Sequence, residues 1–389
     1  MNLKGATAIA GIGQTPNYKR ATSPDSEQKA LLRAIVAACE DAGVDPSDVD
    51  GFCSYGPDRN DGTTLMHGLG LKELRWSTQG AGGGGGAIPG AVGVAAAAIM
   101  TGQAEHVIVY RATVERDYGR FNVTIEQDHR NSHFTSSGVM VAAQIVAFRT
   151  QRMIETLGVP RDAMDAISAV DYLHARNNPR AMAFENTVSL EDIQNSRWIV
   201  EPYRLFNCSR ETDGAAAILV TSAERARDLK REPIYLLGVA QGAAGPGGVC
   251  WENYSEEEFP LAGFSSVARR LWDSSGLTHK DVDVAQIYEN FSGPAVGALI
   301  QHGFCTPETA AAFCTIENLR APDGKLPINT DGGCLAEGFV HGIGGTVEAV
   351  RQLRGESANP VPGAKVCLVT GGPASTLVSS ALFGTKAAL

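Results

Sequence analysis

The 389-residue sequence predicts an α/β fold built twice over. Three observations carry this. Apolar runs of strand length alternate with runs of helical periodicity. One helix–turn–strand phrase recurs 233 residues further on. The chain is also longer than a single ordinary core usually holds.

Residues 6–11 read as a short buried strand, and a loop follows to about Pro24. Over 27–42, Leu31, Leu32, Ile35, Val36 and Cys39 fall at helical spacing, and Gly43 closes the helix. A second strand is expected at 49–54. Residues 80–86 are almost all glycine. Pro89 suits the first turn of a helix that continues over 91–100. Residues 106–112 (HVIVYRA) form a strong strand, whereas 113–136 are polar and aromatic and read as a loop over a site. Helices over 137–157 and 161–176, then strands at 215–221 and 365–370, complete the pattern. The repeated phrase pairs Gly43 with Gly276, Asp48 with Asp281, Val49 with Val282 and Asp50 with Asp283. Each copy follows an amphipathic helix and leads into an apolar strand. A solenoid period is absent, so this is one duplicated unit.

Composition narrows the function. The net charge of −10 argues against a nucleic-acid binder, which would normally show a basic face. No run of eighteen apolar residues spans a membrane. The first residues lack a signal-peptide pattern, and the eight cysteines form no CxxC pair. Reduced thiols in a cytoplasmic protein without a structural zinc site are therefore expected. His129 and His133, with Glu126 and Asp128, have spacing that would suit a metal on a helix. Their segment does not read as a helix and no third ligand is evident, so no metal is assigned. The glycine run lacks the Gly-Lys-Ser/Thr ending of a P-loop, and no G-x-S-x-G elbow occurs.

Several phrases together resemble the thiolase superfamily, in its sterol-carrier-protein-X/lipid-transfer-protein branch. They are Asp213-Gly-Ala-Ala-Ala217, Tyr288-Glu-Asn-Phe291 in the place of an NEAF-like stretch, Asn329-Thr-Asp-Gly-Gly333 followed by Gly338-Phe-Val-His-Gly342, Thr370-Gly-Gly372, and His174-Ala-Arg-Asn-Asn-Pro179. The resemblance runs over essentially the whole chain. It implies a duplicated thiolase-like fold in five layers, α-β-α-β-α. It also implies an N-terminal half over 1–222, with a loop insertion at about 113–200, and a C-terminal half over 223–389.

The departures from the thiolase pattern are chemical. The position of the nucleophilic cysteine falls within the glycines at 82–86. The late CxG cysteine is absent from 370–372, and Phe339 stands where thiolases carry a histidine. Without a thiolate, an acyl-enzyme has no basis. The pattern resembles the thiolase-like aldolases of steroid side-chain degradation, which cleave a β-hydroxyacyl-CoA by a retro-aldol reaction. That resemblance implies an acyl-CoA thioester as substrate and no covalently bound cofactor. It further implies a homodimer and a small partner protein with a zinc ribbon and an OB fold.

Within this frame Tyr288 is the candidate base and His341 the candidate donor to the thioester oxygen or the enolate carbon. Each also has a structural reading: Tyr288 as a strand-end aromatic with a hydrogen-bonded hydroxyl, and His341 as the organiser of its turn. Gly84, Gly85, Asn290, Phe339, Gly371 and Gly372 are the expected substrate-binding positions. The glycine run reads as a vacated nucleophile site whose N–H groups form an oxyanion pocket, as a close helix contact, or as a flexible loop. Two other functions stay open: an atypical thiolase or acyltransferase using Cys334, and a non-catalytic acyl-CoA-binding scaffold.

Overall fold

A computed structural model describes residues 3–56, 58–80, 87–119, 129, 132–245, 255–373 and 377–389. Nine strands form the path of its main sheet: β1 (Thr7–Gln14), β2 (Gly51–Tyr55), β3 (Trp76–Gly80), β4 (His106–Thr113), β5 (Thr212–Ser222), β6 (Ile234–Gly242), β7 (Val284–Gln286), β8 (Val366–Gly371) and β9 (Val378–Gly384). Their order is β7-β8-β9-β6-β1-β5-β4-β2-β3.

The duplication is visible in this order. In the first half β1 pairs antiparallel with β5, β5 antiparallel with β4, and β4 parallel with β2. In the second half β6 pairs antiparallel with β9, β9 antiparallel with β8, and β8 parallel with β7. The halves join where Ala8 and Ile9 face Tyr235 and Ile234. The phrase repeated in the sequence does the same work twice. Gly43 and Gly276 end their helices in the left-handed region, at φ 73° and 69°. The Asp50 carboxylate then accepts the N–H groups of Glu105 and His106 at the start of β4. Asp283 accepts those of Lys365 and Val366 at the start of β8.

Period-two alternation gives each strand two buried faces. Ile108, Tyr110, Leu219, Leu237 and Leu368 join one core. Val107, Val109, Ile218, Leu236 and Val369 join the other. The first core takes in the outer helices α1 (Glu27–Ala42), α4 (Arg161–Ala175), α5 (Ser265–Ser275) and α6 (Ser292–Gln301). The second takes in the central helices α2 (Ile88–Met100) and α7 (Ile343–Leu353). Each half of the sheet thus has outer helices on one face and shares the central α2 and α7 on the other, which makes the five layers α-β-α-β-α. No helix among the described residues is long and apolar enough to cross a membrane.

Some expected boundaries move. The first strand continues to Gln14, because its polar end residues pair with Ala216 and Ala217 of β5. The helix expected over 137–157 is α3 (Ala142–Leu157), since Gly138 at φ 77° breaks the chain before it. The expected loop at 113–136 carries two short helices, Glu115–Tyr118 and Ser132–Ser136. Residues 120–128 and 130–131, with Glu126 and Asp128 of the histidine cluster, lie outside the described residues. Among the described residues no group of His, Cys, Asp and Glu could hold a metal.

Candidate active site

Strand β7 delivers Ile287, Tyr288 and Glu289 to the point where the second half of the sheet meets α7. The backbone there is held by side chains. The Ile287 N–H donates to Asn329 Oδ1 (2.8 Å) and the Tyr288 N–H to Thr370 Oγ1 (3.1 Å). Opposite them, Gly333–Glu337 form a π-helical turn. Its entry, Gly332, lies at φ 107° against Ala175 of α4. The turn aims the N–H groups of Cys334 and Leu335 at one oxygen of Glu289. The chain then runs through Phe339 and His341 into α7.

Gln286, Tyr288, Glu289, Asn329, Asp331, Gly333, Cys334, Glu337, Gly338, Gly342, Gly344, Gly345 and Thr370 are among the residues that line a cavity here. Of the sequence-predicted residues, Tyr288 is on its wall. Phe339 stands between Tyr288 and His341, with ring centroids 6.3 Å and 5.7 Å away. Its N–H donates to Thr212 Oγ1. His341 is buried and held at φ 52°, and its ring lies 5.4 Å from that of Tyr55, whose hydroxyl donates to the His341 carbonyl. Asn290 turns to its own chain: its side chain accepts the Phe291 N–H and its carbonyl the Ser209 N–H. It is therefore part of the frame at the start of α6 and absent from the cavity wall. Gly371 and Gly372 follow the wall residue Thr370 at the end of β8. Gly84 and Gly85 lie outside the described residues.

The sequence reading passed over the site's main electrostatic feature. Asp171, Glu289, Asp331, Glu337 and Glu348 are all buried at or behind this wall. Burial, followed by the charge of Asp331, pushes Glu289 and Glu337 up to about 8 and Glu348 up to about 7. Burial also raises Asp331, and burial with the neighbouring Glu289 raises Asp171. Arg351 opposes the shifts of Asp331, Glu337 and Glu348, and Arg180 those of Asp331 and Glu337. Burial thus favours the neutral acid at each of these carboxyls, because an unpaired buried charge costs more than a neutral acid. Beyond His341, Arg111 reaches the Tyr55 carbonyl and pairs with Asp58 at 3.3 Å, all three side chains buried. Burial and Arg111 hold His341 neutral, far below its usual range. Only the acidic word Tyr288-Glu289 and the Asp331 between Asn329 and the double glycine hinted at the cluster in the sequence.

Cys334, Cys53 and Cys367 are chemically quiet. Burial and the surrounding carboxyls raise the Cys334 thiol well above its ordinary value, and its N–H is committed to Glu289. Burial lifts Cys53 to about 12 and Cys367 well above 9. Cys305 and Cys314 are free, buried thiols.

The carboxyl cluster makes stability depend on pH. A carboxyl that binds its proton more tightly when folded than when unfolded contributes stability below about pH 4.5, and that contribution fades as pH rises to about 8. The melting temperature should therefore fall between pH 5 and pH 8, by roughly 1 °C for each kcal/mol lost. Calorimetry across that window would reject this if the melting temperature stayed level or rose.

Comparison with known proteins agrees with the geometry. Residues 251–383 match the thiolase C-terminal domain-like family. The chain is 40% identical to a 17-hydroxy-3-oxo-4-pregnene-20-carboxyl-CoA lyase of Mycobacterium tuberculosis, over 97% of this chain and 99% of that one. It is 37% identical to a steroid side-chain-cleaving aldolase of Thermomonospora curvata, over 97% and 99%. Among solved structures it superposes on the Ltp2-ChsH2(DUF35) aldolase with a TM-score of 0.92 and 36% identity, covering 99% of each chain. The chain belongs to the thiolase superfamily, in the group of thiolase-like aldolases that cleave steroid side chains.

Proposed function

We propose that this chain is a thiolase-like carbon–carbon lyase. It cleaves a bulky β-hydroxyacyl-CoA, with a steroid side-chain thioester as the preferred case, to a shorter acyl-CoA and a ketone or aldehyde. The observation that carries this reading is the cavity itself. Its cysteine is held as an unreactive thiol, while a tyrosine and protonated carboxyls stand beside it. Such a wall suits proton transfer and does not suit acyl transfer to sulfur.

In the assigned cycle Tyr288, in its phenolate form, takes the proton of the β-hydroxyl. The alkoxide collapses to a carbonyl and the Cα–Cβ bond breaks. Its electron pair passes into the thioester enolate. The N–H groups in the first turn of α7, at Gly344 and Gly345 on the cavity wall, are the donors assigned to the enolate oxygen. Phe339 packs beside Tyr288 and excludes water from the phenol. The enzyme uses the CoA thioester as substrate and needs no bound cofactor. Its likeness to the Ltp2-ChsH2(DUF35) aldolase supports a complex with a small zinc-ribbon/OB-fold partner. A homodimeric core in the cytoplasm belongs to the same proposal.

The test is incubation of the chain, co-expressed with such a partner, with 17-hydroxy-3-oxo-4-pregnene-20-carboxyl-CoA. The expected products are a ketone and a shorter acyl-CoA, formed without added CoA and without a mass adduct on the protein. CoA-dependent cleavage of a 3-oxoacyl-CoA through an acylated cysteine would instead establish an acyltransferase.

A further inference from the structure

Retro-aldol cleavage leaves an enolate whose α-carbon must gain a proton. His341 is placed poorly for this task. Its ring is buried between Tyr55 and Phe339, and it is not among the cavity-lining residues. Three carboxyls do line the cavity: Glu289, Asp331 and Glu337. Glu289 is committed to the N–H groups of Cys334 and Leu335. Asp331 accepts the Gly333 N–H at 2.8 Å and so holds the turn. Glu337 differs. Its Oε1 accepts from Gln14 Nε2 at 3.0 Å, whereas its Oε2 makes no hydrogen bond among the described residues. That oxygen points toward Gly344, standing 4.0 Å from where a Cβ there would lie. Gly338 and Gly344 leave no side chains of their own beside the carboxyl.

We infer that Glu337 is the acid that returns a proton to the α-carbon of the product enolate. The inference rests on the retro-aldol reading. In this step the carboxyl O–H bond breaks and a C–H bond forms at the α-carbon. The enolate electron pair makes that bond, and the thioester carbonyl is restored. Glu337 is left as a carboxylate and recovers, through Tyr288, the proton that Tyr288 took from the β-hydroxyl. No proton is gained or lost over the cycle. The groups around Glu337 suit this exchange. Burial and Asp331 favour its neutral form, while Gln14, Arg351 and Arg180 ease the passing carboxylate.

Propionyl-CoA, the three-carbon acyl-CoA that cleavage of 17-hydroxy-3-oxo-4-pregnene-20-carboxyl-CoA leaves, is the probe. In D2O the wild-type complex should exchange one α-hydrogen of propionyl-CoA stereospecifically. Glu337→Gln keeps the shape and the acceptor for Gln14, and should slow that exchange by about 100-fold or more. It should also scramble the stereochemistry of deuterium incorporated during cleavage. Glu337→Asp retains an acid and should recover part of the exchange, a result that a merely structural role would not give. Unchanged exchange and unchanged stereochemistry in Glu337→Gln, with the wild type still cleaving its substrate, would refute the role of Glu337 and leave the lyase reading standing. A wild-type complex that cleaves no β-hydroxyacyl-CoA would sink both.

Discussion

Replacing Tyr288 by Phe is expected to lower kcat for lyase turnover by roughly 10²- to 10⁴-fold, the usual worth of a positioned proton-transfer group. The change removes one hydroxyl and almost no volume. The ring keeps its place beside Phe339, and the backbone N–H keeps its bond to Thr370. The melting temperature and KM should therefore stay close to wild type, so that the lost rate is chemical in origin. Steady-state kinetics on the β-hydroxyacyl-CoA, with calorimetry on the same preparation, measures both. An unchanged kcat would remove Tyr288 from the mechanism.

Gly332→Ala is expected to be strongly destabilising. Gly332 sits at φ 107°, a conformation that L-residues rarely adopt. An added Cβ there would stand 2.9 Å from Ala175 Cα and 3.1 Å from its nitrogen, both backbone atoms of the end of α4. Neither can swing away as a side chain does. Conformational strain of about 1–3 kcal/mol and a comparable steric cost add to roughly 4 kcal/mol. The melting temperature should fall by about 5 °C. Activity should fall as well, because the same turn holds the N–H groups that bind Glu289. Gly70→Ala is the control. Its φ of 68° is also positive, but nothing lies within 4 Å, so only about 1 kcal/mol should be lost. Equal melting temperatures for the two variants would show that contact with α4 does not matter.

Legibility of the fold in the sequence varied with the element. The strands at 106–113 and 366–371 are dense in β-branched and apolar residues, and they announce themselves. Strand β3 is Trp-Ser-Thr-Gln-Gly at the edge of the sheet, half exposed, and has no apolar alternation to detect. Strands β6 and β9 were passed over although both are apolar, because only their pairing with each other and with β1 and β8 tells a strand from a buried helix segment there. The repeated Asp50 and Asp283 were visible as letters. Their shared role, fastening the start of a neighbouring strand, appears only once β4 and β8 are in place.

The site divides in the same way. Tyr288, Phe339 and His341 stood out because their phrases have counterparts in a known family, and the missing thiolate chemistry was visible as absent cysteines. The carboxyl cluster was not visible. Asp171, Glu289, Asp331, Glu337 and Glu348 are spread over 178 positions, and each in isolation looks like an ordinary surface acid. By itself the sequence determined the duplicated α/β architecture, since hydrophobic period and turn residues are local properties of the chain. The tertiary structure alone decided which groups hold protons at the cavity. A carboxyl's affinity for its proton depends on the water and charge around it, and those are set by elements far apart in the chain.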